Sequence, residues 1–556
     1  MGAGHPDPGG KTHPLTRARR LASARARETS VFLLYAAWAA VVTRPLGFRM
    51  ATHTLPGPDP LSHLWMVSWL TGHAFQPGQL FQGNIFSPAP HAALMTDLSL
   101  GTAVLVLPFR LFTTEPLVLF NLATLIALAF GGWAFQALIY GLTGQRWAAL
   151  LGGLLAAFSP EQLAHVFHLN LLSTGWLALF LLGLHRIAER PSPGAALLAG
   201  VAFALNAQSS GYYAVAGAVI AIVFVAFHAR ALLRPRSARA LCAAAALAAL
   251  LTLPYVHEFL ELRDEQGGLR RPLPMSVEMA FQPGRDLRST GYLYGRILGA
   301  QEGVFPGLLL VVLVLVALRR GGRAVYAYAT AAAVLVILSL GPELTLGGRV
   351  VPLPYRLLFA VPPFDCMRHP FTFAAVALML LAVLAGMGWS RLRLAAKPWT
   401  GPVVLALAVI ETLSPPPDVV AIPPGLPPAY QRLESLPPGP ILEVPLFAPE
   451  TVLWAARHGR PVLNGAGAFA PLQTLTLDRY IQNHWMEGVP VDADTERPTP
   501  YLVGRFPVRY VILPTGRIRH LEDVAAAFER SRTYHLVAAL PDGDRIYEVR
   551  RDAPPP

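Results

Sequence analysis

The sequence predicts an α-helical polytopic membrane protein of about eleven transmembrane helices with a small α/β domain at its C-terminal end. Three observations carry that reading. The first is composition. Of 556 residues, 53% are hydrophobic and 14% charged, and the mean hydropathy is +0.44, whereas soluble globular domains are about a quarter charged. The second is the placement of arginine in short blocks between apolar runs. The third is a change of texture after residue 414, where apolar runs give way to short strands and an amphipathic helix.

The formal net charge is +12. Because the basic residues sit between apolar runs, they read as cytoplasmic membrane loops rather than as a nucleic-acid surface. The two cysteines form no framework: Cys242 and Cys366 fall on opposite sides of the membrane in the topology below, so no disulfide is expected.

Residues 1–30 are rich in Gly, Pro and Arg and read as a disordered basic cytoplasmic tail. The apolar run beginning at Val31 is charge-preceded like a signal peptide. The rest of the chain is just as hydrophobic, so the run is expected to be retained as the first helix. Further runs with spanning character lie at 116–141, 147–158, 170–187, 193–206, 211–228, 238–258, 304–318, 324–340, 370–390 and 398–414. Segment 98–112 is apolar but short, carries Pro108 and Arg110, and is expected to be re-entrant or to lie on the membrane surface.

Arginines test that exclusion. With the N-terminus in the cytoplasm and 98–112 left uncounted, Arg146, Arg186, Arg190, Arg230, Arg234, Arg236, Arg239, Arg319, Arg320, Arg323, Arg391, Arg393 and Lys397 all fall in cytoplasmic loops. The opposite loops around 51–97, 159–169 and 206–211 hold neither Lys nor Arg. Counting 98–112 as a span inverts every later loop. The expected layout is therefore a transmembrane region over 31–414, with a first outer loop at 49–115, and an outer-face α/β domain over 415–556. In that domain ILEVPL (441–446) and VRYVIL (508–513) read as buried strands, 534–550 as a strand pair, and 520–530 as an amphipathic helix.

Polar residues gather in the outer loops. PGPDPLSHLWMVSWL supplies Asp59 and His63. Asp59 stands before Pro60, where a carboxylate can cap a helix starting at that proline; with His63 one turn on, it can also hold a cation or a hydroxyl. NIFSPAPHAALMTDLSLG supplies Asn84, His91 and Asp97. FSPEQLAHVFHLN supplies Glu161, His165 and His168, the two histidines sharing one helix face. NAQSSGYY supplies Asn206, Gln208 and Tyr212, and PPFDCMRHPF supplies Asp365, Arg368 and His369. Each group also has a plain structural reading. Asp59 serves as a cap, residues 208–213 end and restart helices, and Arg368 snorkels to headgroups. Two histidines alone make no zinc motif. The C-terminal domain has no Gly-rich phosphate loop, and its GAGA at 465–468 lacks the strand and third glycine of a dinucleotide fingerprint.

Those segments, together with LPYRLLFAVPPFDCMRHPFTFAAVALMLLAVLAGMG, look like a group of bacterial polytopic membrane proteins that resembles the GT-C superfamily of polyprenyl-phosphate-sugar glycosyltransferases. The resemblance covers nearly the whole chain. It implies transfer of a sugar from a lipid-linked donor, a polyprenyl phosphate or diphosphate, to an envelope glycan, lipid or protein acceptor at the outer face of the bacterial plasma (inner) membrane. It assigns Asp59 as base, with Asp97 as a second acidic group. The outer-loop candidates for substrate or phosphate contact are His63, His165, His168, Gln208, Tyr212, Arg368 and His369, and the leaving phosphate calls for an arginine or a divalent cation such as Mg or Mn. Asp59 departs from the usual pattern by standing alone between prolines rather than in an acidic pair. Two other classes stay open: a transporter or flippase of a lipid-linked glycan, which needs polar residues deep in the spans (Asn121, Gln136 and His257-Glu258 are the main ones), and a non-catalytic envelope assembly protein.

Overall fold

The computed structural model describes residues 14–267, 287–299, 303–346, 349–361, 364, 367, 369–487 and 498–551. Asp365, Cys366 and Arg368, singled out above, lie outside the described residues.

Helices dominate. In chain order they begin with α1 (Pro14–Val42), α2 (Pro58–Gly72), α3 (Leu100–Val106), α4 (Pro116–Thr143), α5 (Arg146–Ala157), α6 (Pro160–Ala164), α7 (Leu169–Leu172), α8 (Thr174–Glu189), α9 (Pro193–Ala207), α10 (Gly211–Leu232) and α11 (Pro235–Glu265). The later apolar helices are Leu308–Arg320, Arg323–Ser339, Thr372–Trp389 and Thr400–Thr412. A helix thus occupies each apolar run named above. The basic stretch before Val31, expected as a disordered tail, is helical from Pro14 onward, as its Ala and Arg content favours.

Five helices among the described residues are long and apolar enough to cross a membrane: Pro116–Thr143, Leu169–Glu189, Gly211–Leu232, Pro235–Glu265 and Thr372–Trp389. Others, such as Pro193–Ala207, Arg323–Ser339 and Thr400–Thr412, are apolar but shorter. A 13-residue helix such as Thr400–Thr412 reaches about 20 Å at 1.5 Å per residue, short of a hydrocarbon core about 30 Å thick. The segment after Ser99 is a short helix followed by a 3₁₀ turn through Leu111, with Leu111 and Phe112 presented at the surface.

Burial separates an inner from an outer set. The most apolar stretches of α4 and Thr372–Trp389 are mostly enclosed by protein, whereas that of α11 is almost entirely outward-facing and exposes Leu250 and Leu253. Helix α4 packs on α1, α5 and α8. Small residues permit the closest crossings: a Cβ on Gly388 would stand 2.0 Å from the carbonyl oxygen of Leu313, so those two backbones touch only because glycine is there.

Beyond the last apolar helix, β1 (Ile441–Glu443), β2 (Tyr510–Leu513), β3 (Tyr534–Ala539) and β4 (Arg545–Val549) form one sheet in the order β1-β2-β4-β3. The β1–β2 pair is parallel, and the other two pairs are antiparallel. The helix Leu521–Arg530 packs Val524 and Phe528 into its core.

The C-terminal segment is stitched to the stretch 49–115 that follows α1. Residues His53–Thr54 pair antiparallel with Val420–Ala421, so the chain between them begins and ends at one face of the bundle. Ser62 Oγ donates to the Ala466 carbonyl at 2.9 Å, the Phe86 amide to the Asn464 carbonyl at 2.9 Å, and the Phe469 amide to the Met95 carbonyl at 2.9 Å. Arg457 pairs with Glu115 at 2.8 Å. The GAGA segment lies at this seam. A Cβ on Gly465 would stand 2.3 Å from the Phe86 ring, so the glycine serves close backbone approach, in line with its failure as a nucleotide fingerprint.

Asn84 is a joint of the same seam. Its Oδ1 accepts from Trp65 Nε1 at 2.8 Å, and its Nδ2 donates to the carbonyls of Ala455 at 2.8 Å and Arg460 at 3.2 Å. Asn84→Ala strands a buried indole N–H and two carbonyls, and is expected to cost about 2–4 kcal/mol. The check is thermal unfolding of the purified protein; an unchanged midpoint would remove Asn84 from the joint.

Candidate active site

Asp59 is placed differently from the sequence expectation. Helix α2 starts at Pro58, with Gly57 as its N-cap at φ 99°, and no side chain caps it. The helix therefore begins before Pro60, Asp59 lies inside the first turn, and its carboxylate is free of backbone amides. The glycine takes the left-handed conformation that leads the chain into the proline. The carboxylate is 56% exposed, and its Oδ2 accepts from His168 Nε2 at 3.2 Å. That hydrogen bond holds the Asp59 carboxyl below the usual carboxylate range against the opposing effect of burial. The helix N-terminus favours the same ionised form.

His168 links Asp59 to a second imidazole. Its Nδ1 lies 3.3 Å from His165 Nδ1, and His165 Nε2 lies 3.6 Å from Glu161 Oε1. Since Nε2–H of His168 is given to Asp59, a neutral His168 ring must accept at Nδ1, and His165 must then donate from its own Nδ1. The hydrogen-bonded arrangement runs Asp59–His168–His165, and it fixes the orientation of the ring that binds the carboxylate.

Asp97 anchors the other side. It accepts from Asn170 Nδ2 at 2.5 Å and from the Gly211 amide at 3.5 Å. Burial pushes its carboxyl above the usual carboxylate range even against these bonds. It is half-buried and holds together the His168–Asn170 turn and the start of α10. His63, one turn after Asp59, is buried and shares a hydrogen bond with Ser99 Oγ at 3.3 Å. The His369 amide donates to Tyr212 Oη at 2.6 Å.

Asp59, His63, Asp97, His165, His168, Tyr212 and His369 are thus drawn toward one end of the bundle from five separate chain segments. Gln208 points elsewhere: its amide donates to the carbonyls of Ala204 and Leu251 at 3.3 Å and 3.2 Å, and it lines a neighbouring cleft. Asn121 is likewise structural, donating to the Met50 and His53 carbonyls at 2.8 Å and 2.7 Å. Asn170 does not stand out in the sequence. Its signal is adjacency, since it stands in a loop already marked by its histidines. The ligand atoms of Asp59, Glu161, His165 and His168 do not converge three at a time: among the described residues the grouping of three that can converge on one ion is elsewhere.

Burial pushes His63 down to about 4 and His165 down to about 3. Both are neutral in the fold, against an unfolded value of about 6.5. A depressed folded pKa contributes stability that is complete above the unfolded value and lost as pH falls through the folded one. For His63 that amounts to about 2–3 kcal/mol lost between pH 7 and pH 4.5. Melting of the detergent-solubilised protein across that range should show a decline that His63→Gln makes shallower. Equal slopes would show that His63 is not held neutral.

No family model and no curated protein sequence matches the chain. Among solved structures, the arabinofuranosyltransferase AftD from Mycobacteria superimposes with a TM-score of 0.53 at 18% identity, over 89% of this chain and 40% of that one. The oligosaccharyltransferase of Archaeoglobus fulgidus superimposes with a TM-score of 0.47 at 13% identity, over 87% of this chain and 69% of that one. The chain shares the fold of the mycobacterial enzyme and spans 40% of its length.

Proposed function

We propose that this chain is a membrane glycosyltransferase that moves a sugar from a polyprenyl phosphate or diphosphate to a hydroxyl of a cell-envelope acceptor, at the outer face of a bacterial plasma membrane. The observation that carries the reading is the Asp59 carboxylate: exposed, held ionised, and bonded through one oxygen to His168, at the edge of an apolar helical bundle. The shared fold with an arabinofuranosyltransferase supports it.

In this reading the acceptor O–H donates to the free Asp59 oxygen. As the proton passes to the carboxylate, the acceptor oxygen forms its bond to the anomeric carbon, the bond from that carbon to the phosphate oxygen breaks, and the phosphate leaves with the electron pair. Attack opposite the leaving group inverts the anomeric centre. His168 keeps the other carboxylate oxygen in place, which is the positioning a bimolecular transfer requires. The departing phosphate needs positive charge, and Arg368 with His369 takes that role. Asp97 positions rather than reacts, because its oxygens are already engaged by Asn170 and the Gly211 amide.

The test is glycan and glycolipid profiling of cells lacking the gene, complemented with wild type or with Asp59→Asn at matched expression. Loss of one glycan in the deletion, restored by wild type and not by Asp59→Asn, supports transfer at this site and identifies the sugar. Full restoration by Asp59→Asn removes the base and with it this reading. A donor that accumulates on the inner leaflet of the deletion strain would indicate a transporter instead.

A further inference from the structure

Outside the Asp59 cluster, one set of side chains converges without a role. His91 of the first outer loop, and Glu258 and Glu261 of α11, bring one ligand atom each to within 4.8 Å of one another. The two glutamates are three residues apart, so they share a helix face. His91 sits in the left-handed region at φ 54°, with its amide donating to Gln82 Oε1 at 3.1 Å. Those constraints aim the ring at the helix: Nδ1 is fully buried and lies 2.9 Å from Glu258 Oε2. Tyr255, one turn earlier on the same face, meets Phe81 of the loop at 6.3 Å between ring centres. Glu261 is exposed and also lies 3.4 Å from His257 Nε2.

We infer that His91, Glu258 and Glu261 form a divalent-cation site that fastens the first outer loop to α11. Two like charges on one helix face repel, and an imidazole nitrogen beside them completes a mixed nitrogen–oxygen donor set. Such a set suits Mn²⁺ or Zn²⁺, since Ca²⁺ and Mg²⁺ prefer oxygen alone. A sphere with donors within 4.8 Å of one another accommodates metal–ligand bonds of about 2.0–2.2 Å. Three protein ligands leave at least one coordination position open. Glu258 also lines the cleft of about 480 Å³ bordered by Gln82, Leu100, Gln208 and Leu251, so an ion held here stands at its rim, where it offers its open position to an anionic oxygen. The site shares no residue with the Asp59–His168–His165 chain.

The test uses the full chain purified in detergent micelles without chelator, titrated with Mn²⁺ or Zn²⁺, with bound metal read by elemental analysis and by the melting temperature. One equivalent per chain is expected, with a rise in melting temperature that EDTA reverses. Glu258→Gln and His91→Ala should each weaken binding at least about tenfold and lose the EDTA-sensitive shift. Asp59→Asn, which tests the glycosyltransferase reading, should leave binding as in wild type. No stoichiometric ion, or equal binding by Glu258→Gln and His91→Ala, overturns the inference and leaves His91–Glu258 as an ion pair only. Loss of the ion in Asp59→Asn alone would place it in the other cluster, and also overturns it.

Discussion

Asp59→Asn is expected to lower glycosyl transfer by about 10²–10⁴-fold, the range for loss of a general base, with the melting temperature unchanged. The second half of that expectation is what the structure adds. A cap residue costs about 1 kcal/mol when removed, but Asp59 makes no capping bond, and its side chain is mostly in solvent. Asparagine keeps the size and still accepts from His168, so geometry is preserved while the proton acceptor is lost. The measurement is the initial rate of sugar transfer in isolated membranes, alongside thermal unfolding of the purified variant. A variant that is inactive and also several degrees less stable would return Asp59 to a structural role. Transfer within a few-fold of wild type would mean that another group accepts the proton.

Asp97→Ala is expected to give the other large effect, and of the opposite kind. Asn170 and the Gly211 amide lose a shared acceptor, which costs about 1–3 kcal/mol and frees the turn that presents His168. Activity should fall with stability. Asp97→Asn tells positioning from catalysis. Burial already disfavours the charged carboxyl, and a neutral amide oxygen still accepts one of the bonds, so this variant should recover most of the stability and a substantial fraction of the transfer rate. Recovery of stability with no recovery of rate would give Asp97 a direct role in the chemistry.

The sequence locates the pieces of the site more reliably than their partners. Asp59, His63, His165, His168, Tyr212 and His369 are legible because a polar or ionisable side chain among apolar runs is costly and rarely incidental. Arginine placement then gathers their loops on one face. Reading Asp-Pro as cap and first position misplaces the start of α2, because Gly57-Pro58 fills those positions further upstream. The two prolines are equally good helix starters, and only the backbone at Gly57 chooses between them. Gln208 stands in a loop as polar as the others, but its amide is taken up by backbone carbonyls. Asn84 carries as much polarity as Asp97, yet it joins the first loop to the C-terminal segment. Hydrogen-bonding capacity is visible in a residue type; the direction in which it is used is not.

By itself the sequence determined which apolar runs become helices, and that strands and an amphipathic helix follow the last of them. These depend on composition and on periodicities within one segment. Tertiary structure decided the rest: that His168 reaches Asp59 across 109 residues of chain, that Asn170 reaches Asp97, that Gly465 lies against Phe86, and that His91 faces α11. The hydrophobic effect that assembles the bundle is non-directional. It rewards burying an apolar face without naming what covers it, and which polar tips then meet is set by packing and close backbone approach.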